Sequence, residues 1–267
     1  MAWRWSAFDR PSVRSRREAR IAGKRATLGP MARSIFIGDV HSCAAELAEL
    51  LSAVAVTPDD RVYFTGDLLT RGPDPLGVLR LFAQLRARAT VGNHEQRLLA
   101  ARHARQRGEP GPKLGSSHSE VVAQLGDAEW AILESLPLWL DVPEHDIRLV
   151  HAGIVPGIPF EKQDPWMLTH IRSIGDDGKP SEKWGRLWGS LYQGEPHIVF
   201  GHNARQRPQL HPHATGLDTA CVYGGALTAL VLSAGVAPPP VQSRMDALVS
   251  VRARRAYSDY GRELPGG

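Results

Sequence analysis

Five short stretches of this sequence carry residues that bind metal ions or move protons. They are Gly38-Asp39-Val40-His41, Gly66-Asp67, Gly92-Asn93-His94-Glu95, His151-Ala152-Gly153 and Gly201-His202, each placed after a short apolar run. Carboxylate, imidazole and amide oxygen together suit borderline divalent metals such as manganese, iron, zinc or cobalt. Six donors (Asp39, His41, Asp67, Asn93, His151 and His202) exceed the three protein ligands usual at one catalytic zinc. They suit two ions sharing a bridging carboxylate, about 3.5–4 Å apart as in other two-metal hydrolytic sites. Singly each stretch is weak: Gly-Asp is a common turn, a lone His is usually a packing residue, and Asn93 could simply cap a helix. Their repetition at the end of apolar runs carries the reading.

The runs are the elements that must position these donors. Ser34–Ile37, Arg61–Thr65, Ala89–Val91, Ile147–Val150 and His197–Phe200 have the β-branched and aromatic content of buried strands. Helical patterns lie between the first three. Ala44–Ala55 places Leu47, Leu50, Leu51 and Val54 on one face, and Pro75–Ala87 does so with Leu76, Leu79, Phe82 and Leu85. Gln96–Arg107 and Asp127–Leu136 are further helices. Alternating strand and helix predicts a parallel core with right-handed crossovers, whose strand ends gather ligands. Trp139–Val142, Gly216–Val222, Leu227–Leu232 and Ala247–Ala253 are further strands, with Gly224-Gly225 as a hairpin signal between the second and third of these.

The ordered set resembles the phosphoprotein-phosphatase branch of the calcineurin-like metallophosphoesterases. Within it, three stretches look like the bacterial symmetrical diadenosine-tetraphosphatases and related phosphatases. These are Gly66-Asp67-Leu68-Leu69-Thr70-Arg71-Gly72-Pro73-Asp74, Gly92-Asn93-His94-Glu95-Gln96-Arg97-Leu98-Leu99-Ala100, and the segment from Leu217-Asp218-Thr219 through Tyr223-Gly224-Gly225 to Thr228. The resemblance implies an α/β fold of two mixed β-sheets packed as a sandwich with flanking helices. It implies that Asp39 and His41 bind a first metal, that Asp67 bridges, and that Asn93, His151 and His202 bind a second. Manganese is the foremost candidate, with iron, zinc or cobalt as others. A metal-bridging hydroxide would attack phosphorus, His94 would protonate the leaving oxygen, and Arg71 would grip the phosphate with its guanidinium fork.

Two positions depart from that pattern. Ser42 stands where the first motif usually has Gly. Thr70 stands where protein phosphatases usually carry an Asp that orients the acid His. Thr70 favours an anhydride substrate, whose leaving phosphate needs less protonation than an alkoxide, and leaves the orientation of His94 open. Arg172 is a candidate second phosphate contact and Tyr223 a candidate pocket wall; a surface Arg and a hairpin-packing Tyr are the competing readings. Trp166, Trp184 and Trp188 could stack a base or cap the core. Cys43 and Cys221 read as reduced, buried residues. His103, His118, His145, His211 and His213 read as surface or loop residues.

Charge and hydropathy close off other classes. No apolar run is long enough to span a membrane, and two cysteines do not make a disulfide scaffold. The pI of about 9.3 suggests nucleic acid, but residues 1–30 hold eight of the 32 Lys and Arg and two of the 28 acidic residues. The rest of the chain is therefore slightly acidic, and nucleic acid is not the expected partner. We expect a basic, mobile extension over 1–32, a metallophosphoesterase domain over 33–257, a loose tail over 258–267, and a cytoplasmic location. The expected substrate is a phosphorylated small molecule, nucleotide or phosphoprotein. The expected function is a diadenosine-tetraphosphatase-like phosphohydrolase. The alternatives are a serine/threonine protein phosphatase or other phosphomonoesterase and, more distantly, a metal-bound nucleic-acid-binding pseudoenzyme.

Overall fold

The computed structural model describes residues 32–261; the basic segment 1–31 and residues 262–267 lie outside them. The first half runs β1 (Ser34–Ile37), α1 (Ala44–Ala53), β2 (Arg61–Phe64), α2 (Pro75–Gln84), β3 (Arg88–Ala89), α3 (Asn93–Arg107), α4 (Ser116–Val122) and α5 (Asp127–Glu134). It continues through β4 (Trp139–Val142), β5 (Ile147–Val150), α6 (Met167–His170), β6 (Ser173–Ile174), β7 (Pro180–Ser181), β8 (Arg186–Leu187) and β9 (His197–Phe200). The last stretch holds β10 (Gln209–His211), β11 (Ala214–Gly216), β12 (Ala226–Leu232), α7 (Val241–Arg244) and β13 (Leu248–Arg252).

Ten strands form two mixed sheets, ordered β13-β12-β1-β2-β3 and β10-β11-β9-β5-β4. Strands β1, β2 and β3 are parallel in the first sheet, as are β5, β9 and β11 in the second. Alternation along each strand separates the layers. Phe36, Tyr63 and Leu230 of the first sheet bury against Leu140, Leu149 and Val199 of the second; the Phe36 and Tyr63 rings stack at 5.0 Å. Ile35, Ile37, Val62 and Phe64 point the other way, onto Leu47 and Leu50 of α1 and Val78 and Phe82 of α2. Beyond the second sheet, Val150, Ile198 and Phe200 bury against Leu168, Ile171 and Trp188. The sandwich with flanking helices is thus the fold.

Local chemistry explains the element ends. Asp74 caps α2 by accepting the Gly77 amide at 2.8 Å, and Pro75 occupies the first turn, where a missing N–H costs nothing. Gly108 ends α3 in the left-handed conformation, φ 66°. This helix begins at Asn93 rather than Gln96, so both Asn93 and His94 sit in its first turn.

Two expectations need correction. Gly216–Val222 is not one strand: β11 stops at Gly216 and pairs in the second sheet, whereas β12 pairs in the first. Gly224-Gly225 therefore belongs to a crossover between sheets, not to a hairpin. The stretch 164–194 adds a small sheet, β7-β6-β8, around a core that Trp188 fills. Among the described residues no helix is long and apolar enough to cross a membrane.

Candidate active site

Every predicted metal donor sits just past the C-terminal end of a parallel strand, or on the first turn of α3. Asp39 and His41 follow β1, Asp67 follows β2, His151 follows β5 and His202 follows β9. The turns that bring them together are tight. His41, Asp67, Thr70, Arg71 and His202 all have positive φ, between 47° and 75°, a conformation costing a non-glycine residue about 1 kcal/mol or more. Glycine is required at two neighbouring points. A Cβ at Gly201 would overlap Asp39 Oδ1, and one at Gly92 would overlap Asp67 Oδ1.

Hydrogen bonds fix the donor atoms. His151 Nδ1 lies 2.9 Å from the Thr65 carbonyl and His41 Nδ1 lies 3.2 Å from the Leu69 carbonyl. A carbonyl only accepts, so both Nδ1 atoms carry protons and both Nε2 atoms face the site. Asp67 accepts the His94 amide with Oδ1 at 3.1 Å, which leaves Oδ2 at 3.4 Å from His151 Nε2 and 3.6 Å from His41 Nε2. Asn93 Oδ1 lies 3.1 Å from His151 Nε2 and 3.0 Å from His202 Nδ1. Asp39 accepts from the Thr65 hydroxyl and the His202 amide, both at 2.9 Å.

This donor set fits divalent cations. Oxygens of Asp67 and Asn93 converge on His151 Nε2, and converging acceptors need a positive charge among them, which an ion held by these donors would supply. Two groups of buried donors meet the spacing for an ion: Asp67 with His151 and His202, and Asp67 with His41 and His94. Asp67 belongs to both, as a bridge requires. Asp39 is in neither group, and His94 is, although it is expected to be an acid and not a ligand. The titration behaviour agrees with a cation-seeking site. Burial alone would raise Asp67, but the imidazoles of His151, His94 and His41 hold it well below the carboxylate range. Burial lowers His151, yet Asp67 and Asp39 raise it to about 9. Burial and the Asp218 charge push Asp39 well up.

Thr70 answers the question its sequence raised. Its hydroxyl lies 2.8 Å from His94 Nδ1, so a neutral group orients the imidazole where a carboxylate was the alternative. Burial pushes His94 well below its usual value, and Asp67 pulls the other way. Arg71 lines the same cavity, of about 320 Å³. Its amide donates to Ser117 Oγ at 2.8 Å and its guanidinium lies 5.5 Å from the Tyr223 ring centre. Arg172 and Tyr223 line that cavity too. Arg172 donates from one nitrogen to the His202 carbonyl at 3.0 Å and to Asn203 Oδ1 at 3.1 Å, so it also braces the loop bearing His202.

Several residues at the site escaped the sequence reading. His118, expected at the surface, stacks on His94 with ring centres 4.9 Å apart and planes 8° apart. Glu95 is buried and accepts three amides, of Asp67, Leu69 and Gly92, at 2.9, 3.1 and 3.1 Å. Asp218 is buried at the cavity wall, its carboxyl pushed up to about 6 by burial. Asp259 and Tyr260, placed by sequence in a loose tail, line the cavity. The only local signals were Glu95 at the third position of a helix (a capping pattern) and Asp218 within the Leu217–Thr228 motif. His145 is also corrected: it is buried, its Nδ1 2.7 Å from the Val236 carbonyl. Of the tryptophans, Trp188 is core and donates to the Ala152 carbonyl, while half-exposed Trp166 stacks on His170 at 3.5 Å. Cys43 and Cys221 are buried and free, as expected.

Known proteins share this architecture. The sequence profile described as calcineurin-like phosphoesterase matches residues 32–230. The chain is 31% identical to a bis(5'-nucleosyl)-tetraphosphatase PrpE, asymmetrical, of Halalkalibacterium halodurans, over 73% of this chain and 87% of the relative. It is 36% identical to a symmetrical bis(5'-nucleosyl)-tetraphosphatase of Shewanella baltica, over 56% of this chain and 58% of the relative, so it spans little more than half of that protein. A crystal structure of a candidate diadenosine tetraphosphatase superposes with a TM-score of 0.69 at 31% identity, covering 84% of this chain and 94% of the other.

Proposed function

The chain belongs to the calcineurin-like phosphoesterases and is a metal-dependent phosphohydrolase, and from that premise we propose that it hydrolyses phosphoanhydrides of dinucleoside polyphosphates at a two-metal centre. The observation that carries the choice of substrate is the 2.8 Å bond between Thr70 and His94. A carboxylate there would stabilise an imidazolium and so support a strong acid. A neutral hydroxyl stabilises one far less, and burial further disfavours the charged ring. A neutral His94 that accepts from Thr70 at Nδ1 would carry its proton on Nε2, a hydrogen-bond donor suited to a leaving phosphate but poorly suited to an alkoxide. The names of the relatives above point to the same substrate class.

Asp67 would hold both ions, with Asp39 and His41 on one and Asn93, His151 and His202 on the other. The ions, when bound, supply a water acidified to near neutral pH and neutralise charge on the phosphoryl oxygens. Arg71 grips a non-bridging oxygen by its fork, and Ser117 holds its backbone in place. Arg172 stands at the same cavity as a second phosphate contact. Water adds to phosphorus as the bond to the leaving phosphate oxygen breaks, and that oxygen receives its hydrogen bond from His94.

A substrate panel in one buffer series, with manganese, iron, zinc or cobalt added singly, tests the reading. Diadenosine tetraphosphate should be split with higher kcat/KM than a phosphoserine peptide, with manganese the most effective ion. Symmetric cleavage gives ADP alone; ATP with AMP would place the attack one phosphorus away. Faster phosphate release from the peptide in every metal would overturn the anhydride reading in favour of a phosphomonoesterase.

A further inference from the structure

A second cavity, of about 580 Å³, adjoins the first and shares with it Tyr223, Asp259 and Tyr260. Gln206, Tyr257 and Ser258 complete its polar and aromatic walls. The two differ in charge. Among the described residues, Arg71 and Arg172 line the first, whereas no cation lines the second, where Asp259 is the charged side chain. A further phosphate finds no cation to pair with among the described residues there. The fitting ligand part is neutral, flat and rich in hydrogen-bond donors, and the volume lies within the roughly 300–1,000 Å³ usual for small-ligand sites.

The aromatic wall is pre-set. Tyr223 and Tyr260 meet edge to face at 4.8 Å and 69°, and Arg71 lies over the other partner of that pair, Tyr223. The strap that carries Tyr260 is pinned before it reaches the site. The amides of Tyr257 and Ser258 donate to the Val222 carbonyl at 2.9 and 3.1 Å, and the Tyr257 hydroxyl donates to Glu46 at 2.7 Å. Ala256 bridges to Tyr223. A cationic grip on phosphate thus leads through two rings to a cation-free pocket.

We propose that this second cavity is a nucleoside subsite, with Tyr260 as its stacking wall and Asp259 and Gln206 as partners for the amino and ring nitrogens of a base. The proposal rests on the nucleotide reading of the site, but its test does not need an anhydride to be cleaved. The full-length metal-loaded protein hydrolyses p-nitrophenyl phosphate as reporter, with ADP and inorganic pyrophosphate as competing inhibitors. In the parent protein ADP should inhibit at about a tenfold lower concentration than pyrophosphate, a ratio in line with one base stacked on an aromatic ring. Tyr260→Ala should collapse that ratio towards one, and Tyr260→Phe, which keeps the ring, should retain it. Gln206→Ala, in the same cavity's lining, should lower the ratio by about threefold, a loss of the size of one neutral hydrogen bond, and keeps the test alive should Tyr260→Ala fail to fold. Equal inhibition by ADP and pyrophosphate in the parent protein, or an unchanged ratio in Tyr260→Ala, overturns the subsite. Failure to cleave diadenosine tetraphosphate, with the ratio intact, would instead overturn the anhydride reading and leave a nucleotide-binding phosphatase.

Discussion

The floor and the rim of the site are built by different rules. On the floor, Asp39, His41, Asp67 and His151 are buried, and backbone or side-chain partners fix the free atom of each. Its turns hold non-glycine residues at positive φ. On the rim, Arg172, Tyr223 and Tyr260 are half-buried; the two rings meet edge to face, Arg71 lies over Tyr223, and Arg172 donates to the His202 carbonyl and Asn203 Oδ1. The floor has one arrangement that works, because an ion tolerates little error in its donors. The rim has only to present a surface of the right charge and shape. Changes on the floor should therefore remove chemistry, and changes on the rim should alter what is bound.

The largest effect is expected at the bridge. Asp67→Asn removes the charge shared by both donor groups, so metal content should fall well below two equivalents and kcat/KM by about a thousandfold, given the several kcal/mol that metal ions contribute to phosphoryl transfer. Two retained equivalents, read by elemental analysis, would show that Asp67 does not bridge. His94 is next. His94→Asn should keep its metals and lose about a hundredfold in kcat, less for p-nitrophenyl phosphate than for a phosphoserine peptide, with the anhydride between them. A drop to one equivalent would make His94 a ligand, as its grouping with His41 and Asp67 allows.

Glu95→Gln probes how the floor is held. A Gln can offer an oxygen to only some of the three amides that Glu95 accepts. It should cost about 2 kcal/mol of stability, seen as a lower urea midpoint, and an unchanged midpoint would remove Glu95 from the scaffold. On the rim, Arg172→Ala should raise KM for the anhydride about tenfold while both metals stay bound, as the loss of one charge-assisted contact predicts. Loss of metal instead would mean that bracing the His202 loop is its main task. The smallest effect belongs to Ser42, which is buried at φ 60° with no hydrogen-bond partner for its hydroxyl. Ser42→Gly should relieve that strain and stabilise the fold by about 1 kcal/mol, and thermal unfolding would register a lower melting temperature if the strain were absent.

Much of this protein was legible before its structure. Strand runs such as Ser34–Ile37 and the donors at their ends follow from local patterning. β-Branched and aromatic residues favour buried strands whatever their partners, and parallel strands put all their C-terminal ends on one side. The helix faces of Ala44–Ala53 and Pro75–Gln84 were readable for the same reason. Other features depend on which surfaces meet. Gly224-Gly225 has the sequence of a hairpin, yet β11 and β12 join different sheets, because strand pairing is decided by partners far along the chain. His118 looked like a surface residue until α4 folded back and laid it on His94. Tyr260 looked like a loose end until the strap was pinned at Val222 and Glu46. Local propensity depends on neighbours a few residues away and is written in order along the chain. Contacts between distant segments exist only once packing has selected one arrangement, and those contacts turn a set of metal donors into a site with walls.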